Sequence, residues 1–175
     1  MDAKAREIDM VINKLGMEAH TTGELHAWLK LNGMLVVRTR RSLEKGKFVP
    51  ADKIRCQLKV NEEQFSGLQD CDVSKPDYVK ILSDKGIIPR VVAGQTFKSD
   101  DSGIEVTVVR AGKEKEKARF RITTLKADKA VFTIVVYRKS GADPGRINYK
   151  TANLNSPTEY ELTADETAAI EIKRL

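Results

Sequence analysis

The sequence predicts an α+β protein in which a part containing helices precedes an all-β part. Near the amino terminus, apolar residues recur every three to four positions, which is typical of a helix packed on a core. After Pro89, apolar residues occur only in short runs separated by turn residues, which is typical of strands. We therefore expect an α+β domain over residues 1–88 and an all-β domain, an antiparallel sandwich or barrel, over residues 89–175.

Two helices are predicted first, as a helical hairpin. The apolar stripe of the first consists of Ile8, Val11, Ile12 and Leu15, and that of the second consists of Leu25, Trp28 and Leu29. Gly16 can end the first helix. Thr21 and Glu24 have the spacing of a capping box at the start of the second, and Asn32-Gly33 would end it.

A basic β-hairpin is predicted next, because the apolar period changes to two from Met34 onward. A return strand over residues 53–60 places Ile54, Cys56 and Leu58 on its apolar face. The solvated face of this hairpin would carry Arg38, Arg40, Lys53, Arg55 and Lys59, and the connecting loop would add Arg41, Lys45 and Lys47.

One more helix and a series of strands complete the prediction. Ser74 can cap the helix, Pro76 suits its first turn and Gly86 can end it, with a buried stripe that includes Tyr78. The strands are expected over residues 104–110, 118–125, 130–139, 146–150, 159–162 and 167–174. Residues 130–137 are apolar on both faces, which predicts a central strand.

Positive charge is concentrated in two blocks of the chain. Residues 34–60 hold eight Lys or Arg against two Asp or Glu, and residues 104–150 hold twelve against five, within a net charge of +6. The second block begins with alternating signs, so only Arg119 and Arg121, beyond the alternating run, extend it as a basic surface. Such concentration favours a polyanion partner, nucleic acid first.

The first block leads to a functional hypothesis: a non-enzymatic DNA-binding or nucleic-acid accessory protein that contacts phosphates through its hairpin. A two-stranded ribbon fits a nucleic-acid groove, and arginines make paired contacts to phosphate that lysines cannot. Few exposed aromatic residues are expected for stacking on single strands, so duplex DNA is the favoured form. The competing interpretation is a solvated basic face that keeps an edge strand soluble.

Three other interpretations stay open. The charged segments could fit complementary patches on a partner chain or on a second copy, as in an assembly protein. Residues 68–88 can be read as a helix-turn-helix, although the turn is acidic. Glu171-Ile172-Lys173 has the Glu-x-Lys form found in metal-dependent nucleases, but three-residue matches are common by chance.

Composition argues against several other classes of protein. Cys56 and Cys71 match neither a disulfide framework nor the spacing of a zinc site. His20 and His26 have no triad partner at a suggestive spacing and are expected on a helix surface or cap. We expect no metal site, no cofactor and no enzymatic activity. No apolar run is long enough to cross a membrane and the start of the chain does not resemble a signal peptide, so we expect a cytoplasmic protein.

Overall fold

The structure is a computed structural model that describes residues 2–43, 48–99, 103–113, 116–126, 129–151, 156–163 and 165–175. Its first half contains β1 (Asp2–Lys4), α1 (Ala5–Lys14), β2 (Glu18–Thr22), β3 (Glu24–Leu31), β4 (Met34–Ser42), β5 (Phe48–Pro50), α2 (Ala51–Gln57), α3 (Glu62–Asp70) and α4 (Lys75–Asp84). Its second half contains β6 (Thr96–Lys98), β7 (Ile104–Arg110), β8 (Lys117–Thr124), β9 (Val131–Arg138), β10 (Gly145–Lys150), β11 (Thr158–Thr163) and β12 (Thr167–Arg174). The α+β class is confirmed.

All strand pairs that the structure describes are antiparallel. They form a two-stranded sheet (β1–β5), two three-stranded sheets (β2–β3–β4 and β10–β9–β12) and a four-stranded sheet (β11–β8–β7–β6). Among the described strands no barrel closes. In the same part of the chain, no helix is long and apolar enough to cross a membrane.

β9 is the central strand that the sequence predicts, and it contributes to two hydrophobic clusters. Val135 and Tyr137 pack in the cluster of the first half, whereas Phe132, Ile134 and Val136 pack in the cluster of the second half. Alternate side chains of a strand point to opposite faces of its sheet, so β9 supplies both clusters. The division at residues 88 and 89 stays a prediction.

The helix predicted over residues 21–31 is wrong, because this segment forms β3 and the end of β2. Ala27, Leu29 and Leu31 are buried at alternate positions, and this period of two decides the structure over the helical stripe. The turn that follows has Asn32 at φ 54° and Gly33 at φ 68°. Positive φ at both positions is what a tight β-hairpin turn requires, so Asn-Gly joins two strands here.

The strand predicted over residues 53–60 is also wrong, because residues 51–57 form α2. Ile54 and Leu58 are buried, and residues four apart share one face of a helix. Cys56, expected on the apolar side of a strand, is exposed. The basic hairpin of two consecutive strands therefore does not form, and β4 pairs with β3 instead.

α4 confirms the predicted third helix, with the Ser74 hydroxyl accepting from the backbone N–H of Asp77. α3 was anticipated only in the helix-turn-helix interpretation, which placed Leu68 on a helix, although Asn61 and Gln64 form a reciprocal capping box at its start. It passes through Gly67, where an added Cβ would lie 2.7 Å from a methyl carbon of Val73. Glycine thus allows α3 to pack closely against the turn that leads to α4.

Asn32 fixes the first sheet against β12. Its backbone N–H donates to the carbonyl of Ile170 at 2.6 Å, and its side-chain oxygen accepts from the N–H of Ile170 at 2.7 Å. The side chain is buried, so this pair of hydrogen bonds is shielded from water. The end of β3 is therefore held beside β12.

Candidate nucleic-acid interface

One face of the first three-stranded sheet points toward solvent, and we call it the outer face. Cross-strand pairing arranges most of its side chains in three rows across β2, β3 and β4. The rows are Glu18, Trp28 and Arg38; His20, His26 and Arg40; and Thr22, Glu24 and Ser42. Lys30 follows on β3 by alternation. The outer face thus gathers both histidines and the single tryptophan of the chain beside two of the predicted arginines.

Acidic residues of the outer face are paired with neighbours. Glu18 accepts from the indole N–H of Trp28 at 2.5 Å and lies 3.5 Å from the ammonium of Lys30. Glu24 lies 3.5 Å from the guanidinium of Arg40. Arg38 is exposed and forms no salt bridge with any described residue. Arg38 is therefore the cation of this face that is most open to an external anion.

Arg41 lies on the opposite side of β4. Alternation along β4 turns it away from Arg38 and Arg40, and two of its nitrogens donate to the carboxylate of Asp9 at 2.6 and 2.5 Å. Its side chain is only 11% exposed. Such a paired, two-point contact stabilises the junction of β4 with α1 and occupies the guanidinium.

Three other predicted residues, Lys53, Arg55 and Lys59, lie on α2 or just after it rather than on a strand. Arg55 donates to Asp52 one turn earlier at 3.0 Å. Lys59 has φ 61° in the chain reversal that follows α2. Lys45 and Lys47 lie outside the described residues.

Gln57 brings the end of α2 to the edge of β4. Its side-chain oxygen accepts from the hydroxyl of Thr39 at 2.8 Å and from the backbone N–H of Arg40 at 3.3 Å. Because β4 is at the edge of its sheet, this contact satisfies a backbone donor that would otherwise face water. The structure therefore places the end of α2 against the edge of β4, at Thr39 and Arg40.

Arg119 and Arg121 lie on an exposed face of β8, and each is opposite a glutamate of β11. Arg119 donates two hydrogen bonds to Glu161, at 2.9 and 2.5 Å, and Arg121 donates two to Glu159, at 3.1 and 2.7 Å. The hydrogen bond from Arg119 is the main reason that the pKa of Glu161 is lowered. We call this set the arginine–glutamate ladder; its positive charge is matched within the sheet.

His20, His26, Trp28 and Lys30 were not predicted as interface residues. The prediction placed Trp28 in the apolar stripe of a helix and the histidines on its surface or cap, whereas strand pairing brings them onto one face. Two turn signals in the sequence indicate the strands: Gly23 with φ 76° and the Asn32-Gly33 pair. These turn signals could have indicated strands β2 and β3 from the sequence, although not which strand pairs with β4.

A cleft of about 460 Å³ opens where Trp28 and Lys30 meet the end of β12. Its charged lining residues are Glu18, Lys30, Lys98, Glu171, Lys173 and Arg174. Glu171 is nearly buried, and its two oxygens accept from Lys75 at 2.9 Å and from the hydroxyl of Tyr137 at 2.7 Å. Lys173 is 3.4 Å from the same carboxylate. The cleft therefore has more basic than acidic side chains.

Burial sets the ionisation of two partners of Glu171. Loss of solvent lowers the pKa of Lys75, against the opposing effect of the nearby carboxylate. Burial also raises the pKa of Tyr137, and the charge of Glu171 adds to that effect. The Glu-x-Lys pair of the nuclease interpretation is thus part of this hydrogen-bonded group. Within the described ranges, no group of three or more His, Cys, Asp or Glu side chains is placed to hold a metal ion.

Comparison of the chain with protein-family models, with curated proteins and with solved structures found no match.

Proposed function

We propose that this protein is a non-enzymatic, cytoplasmic nucleic-acid-binding protein that contacts the phosphates of duplex DNA through its outer face. The observation that carries the proposal is the projection of Arg38 and Arg40 from alternate positions of β4, next to Trp28 and His26 of β3. The contact surface still comes from the first basic block, residues 34–60. The strand that pairs with β4 is β3, and not the strand predicted over residues 53–60.

Strand geometry supports this use of Arg38 and Arg40. Residues two apart on a strand are separated by about 6.6 Å and point the same way, so both guanidinium groups can reach neighbouring phosphates. Each guanidinium offers paired donors that match the oxygens of one phosphate. Arg40 would exchange its contact with Glu24 for a phosphate, an exchange with a small cost because exposed ion pairs are weak.

The test is a titration of a fluorescent DNA duplex at two or more salt concentrations, with Arg38→Gln/Arg40→Gln compared with the parent protein. Loss of two phosphate contacts should reduce the salt dependence of log K by about 1.8, since each contact contributes about 0.9. The matched control is Arg119→Gln/Arg121→Gln, which removes two exposed arginines that already have glutamate partners. Parent-like binding by the Arg38/Arg40 variant, or an equal loss in the control, would contradict the proposal.

A second candidate is an assembly protein, favoured by exposed apolar residues at the start of β4. Met34 and Leu35 are 45% and 57% exposed, and Met34 borders a groove of about 470 Å³ that Pro89 and Phe97 also line. In this candidate the groove, the charged patches and the second half, which is proposed as a sandwich of its two sheets, contact another chain or a second copy. Light scattering over a range of protein concentrations, without DNA, distinguishes the two candidate functions. An increase in molecular mass with protein concentration, in a protein that does not bind the duplex, supports assembly.

A further inference from the structure

The cleft beside Trp28 collects cations from three separate parts of the chain. Lys30 comes from β3, Lys98 from the end of β6, and Lys173 and Arg174 from the end of β12. Because these side chains are distant in sequence, only the folded chain brings them to one cavity. Four basic groups face two carboxylates in the lining, and Lys98 has a third carboxylate, Glu105, at 3.3 Å. The remaining small excess of positive charge would favour a bound anion.

Both carboxylates of the cleft already have partners. Glu18 accepts from Trp28, and Glu171 accepts from Lys75 and Tyr137. A carboxylate bonded in this way does not require another cation, and it repels an incoming anion less because nearby ammonium groups offset its charge. Lys173, which is 43% exposed, can turn its ammonium toward a ligand while Lys75 keeps Glu171 paired.

Gly16 allows the lysines to approach the wall of the cleft. A Cβ at this position would lie 3.1 Å from the ammonium nitrogen of Lys75 and 3.4 Å from that of Lys173. Its φ of +57° also suits glycine better than other residues. Glycine therefore lets two ammonium groups lie close to the backbone at this wall of the cleft.

Trp28 is one of the lining residues of the cleft and provides an aromatic surface. Nucleobases stack on aromatic side chains without regard to base identity. A cavity of about 460 Å³ lies within the range of small-ligand sites. We propose that the cleft binds a nucleoside monophosphate, with the base against Trp28 and the phosphate at the basic lining around Lys173, either as a free nucleotide or as the phosphorylated end of a strand.

This inference does not depend on duplex binding by the outer face. Arg38 and Arg40 do not line the cleft, and Lys173 and Arg174 do not belong to the outer face. Variants of the two pairs therefore report on the two proposals separately. Absence of duplex binding would not contradict the nucleotide site. Absence of nucleotide binding would not contradict duplex binding by the outer face.

The experiment uses the fluorescence of Trp28, which is the only tryptophan of the chain. Titration with AMP should change the emission in a saturable way, and adenosine, which lacks the phosphate, should bind at least about tenfold more weakly. Lys173→Gln/Arg174→Gln should weaken AMP binding by about tenfold or more. The matched control is Lys139→Gln, because Lys139 is similarly exposed and also paired with a carboxylate, but lies outside the cleft.

Further variants keep the result interpretable. Glu171→Gln should tighten AMP binding, because it removes a negative charge while its amide can still contact Tyr137 and Lys75. If Lys173→Gln/Arg174→Gln fails to fold by circular dichroism, Lys30→Gln tests the same cleft from β3. Equal affinities for AMP and adenosine, no saturable response to millimolar AMP, or unchanged AMP affinity in the folded cleft variants would overturn the inference.

The source of the nucleotide is tested by competition. A 5′-phosphorylated oligonucleotide that displaces AMP, where its 5′-hydroxyl counterpart does not, assigns the cleft to strand ends. AMP binding without such displacement assigns it to a free nucleotide. Displacement by both oligonucleotides alike would show that the phosphate end is not recognised and would overturn the strand-end form.

Discussion

The outer face and the arginine–glutamate ladder present the same residue type at the same spacing, but in different surroundings. Arg38 and Arg40 lie opposite Trp28 and His26, whereas Arg119 and Arg121 lie opposite Glu161 and Glu159. In the ladder each guanidinium makes two contacts to a carboxylate of the neighbouring strand. The outer face lacks such directly opposite carboxylates. The neighbouring strand therefore decides how much of an exposed arginine is available to a ligand.

The same difference operates within β4 itself, between neighbouring residues. Arg40 points outward with a single contact to Glu24 at 3.5 Å, and Arg41 points inward with two short hydrogen bonds to Asp9. One arginine is a candidate for binding and the next belongs to the packing between β4 and α1.

The largest effect is expected from Arg41→Met, which keeps much of the side-chain stem but removes the guanidinium. It should lower the free energy of unfolding by about 2 kcal/mol, because two charge-assisted hydrogen bonds to Asp9 are lost. Urea unfolding followed by circular dichroism measures the change. Arg38→Met is the control and should stay within about 0.5 kcal/mol of the parent. Equal decreases in the free energy of unfolding in both variants would contradict the difference between the inward Arg41 and the outward Arg38.

An intermediate effect is expected from Glu159→Gln/Glu161→Gln, which frees the arginines of the ladder. If matched charge is what keeps Arg119 and Arg121 from binding a polyanion, duplex affinity should rise about two- to fivefold at low salt, since an exposed ion pair is worth up to about 1 kcal/mol. The salt dependence should become steeper at the same time. The duplex titration described above measures both quantities.

Its control is Glu62→Gln/Glu63→Gln, which removes two exposed negative charges from the first turn of α3, away from the ladder. A similar rise in this control would assign the effect to net charge. No rise in either variant would contradict the idea that matched charge keeps Arg119 and Arg121 from binding a polyanion.

The smallest effect is expected from the pH dependence of the ladder. Hydrogen bonding with Arg119 lowers the pKa of Glu161 below its ordinary value of 4.5 in the folded protein. A group with a lowered folded-state pKa contributes stability above its unfolded-state pKa and loses it as pH falls through the folded value. The melting temperature of the parent should therefore exceed that of Glu161→Gln at neutral pH, and the gap should close below pH 4.5. A gap that stays constant from pH 7 to pH 3 would contradict the pairing.

Several elements were predictable because their signals are local. α1, α4 and the strands β7 to β12 lie close to their predicted positions, where apolar period, caps and turn residues all indicate the same structure. The two wrong elements, over residues 21–31 and 53–60, lie where short apolar runs fit a period of two and a helical period about equally well. For such runs, whether a helix or a strand forms depends on which side chains become buried. Burial depends on the folded chain and is not visible in the local sequence.

The candidate site was predictable only in part, for a related reason. Alternation along β4 correctly places Arg38 and Arg40 on one exposed face, but it does not identify the strand beside them. Pairing with β3 introduces Trp28 and His26, and the contact of Gln57 with Arg40 brings in α2. The cleft depends on the approach of β12 to β3, which are separated by more than a hundred residues of chain.

Local patterns in the chain account for the mixed α+β class, the positions of α1, α4 and the later strands, and the outward alternation of Arg38 and Arg40. Folding adds the pairing of β4 with β3, the contacts of Arg119 and Arg121 with glutamates, and the cleft that Lys173 shares with Lys30. Helical and strand periods depend on residues a few positions apart, whereas strand pairing and charge neutralisation depend on residues that are distant in the chain.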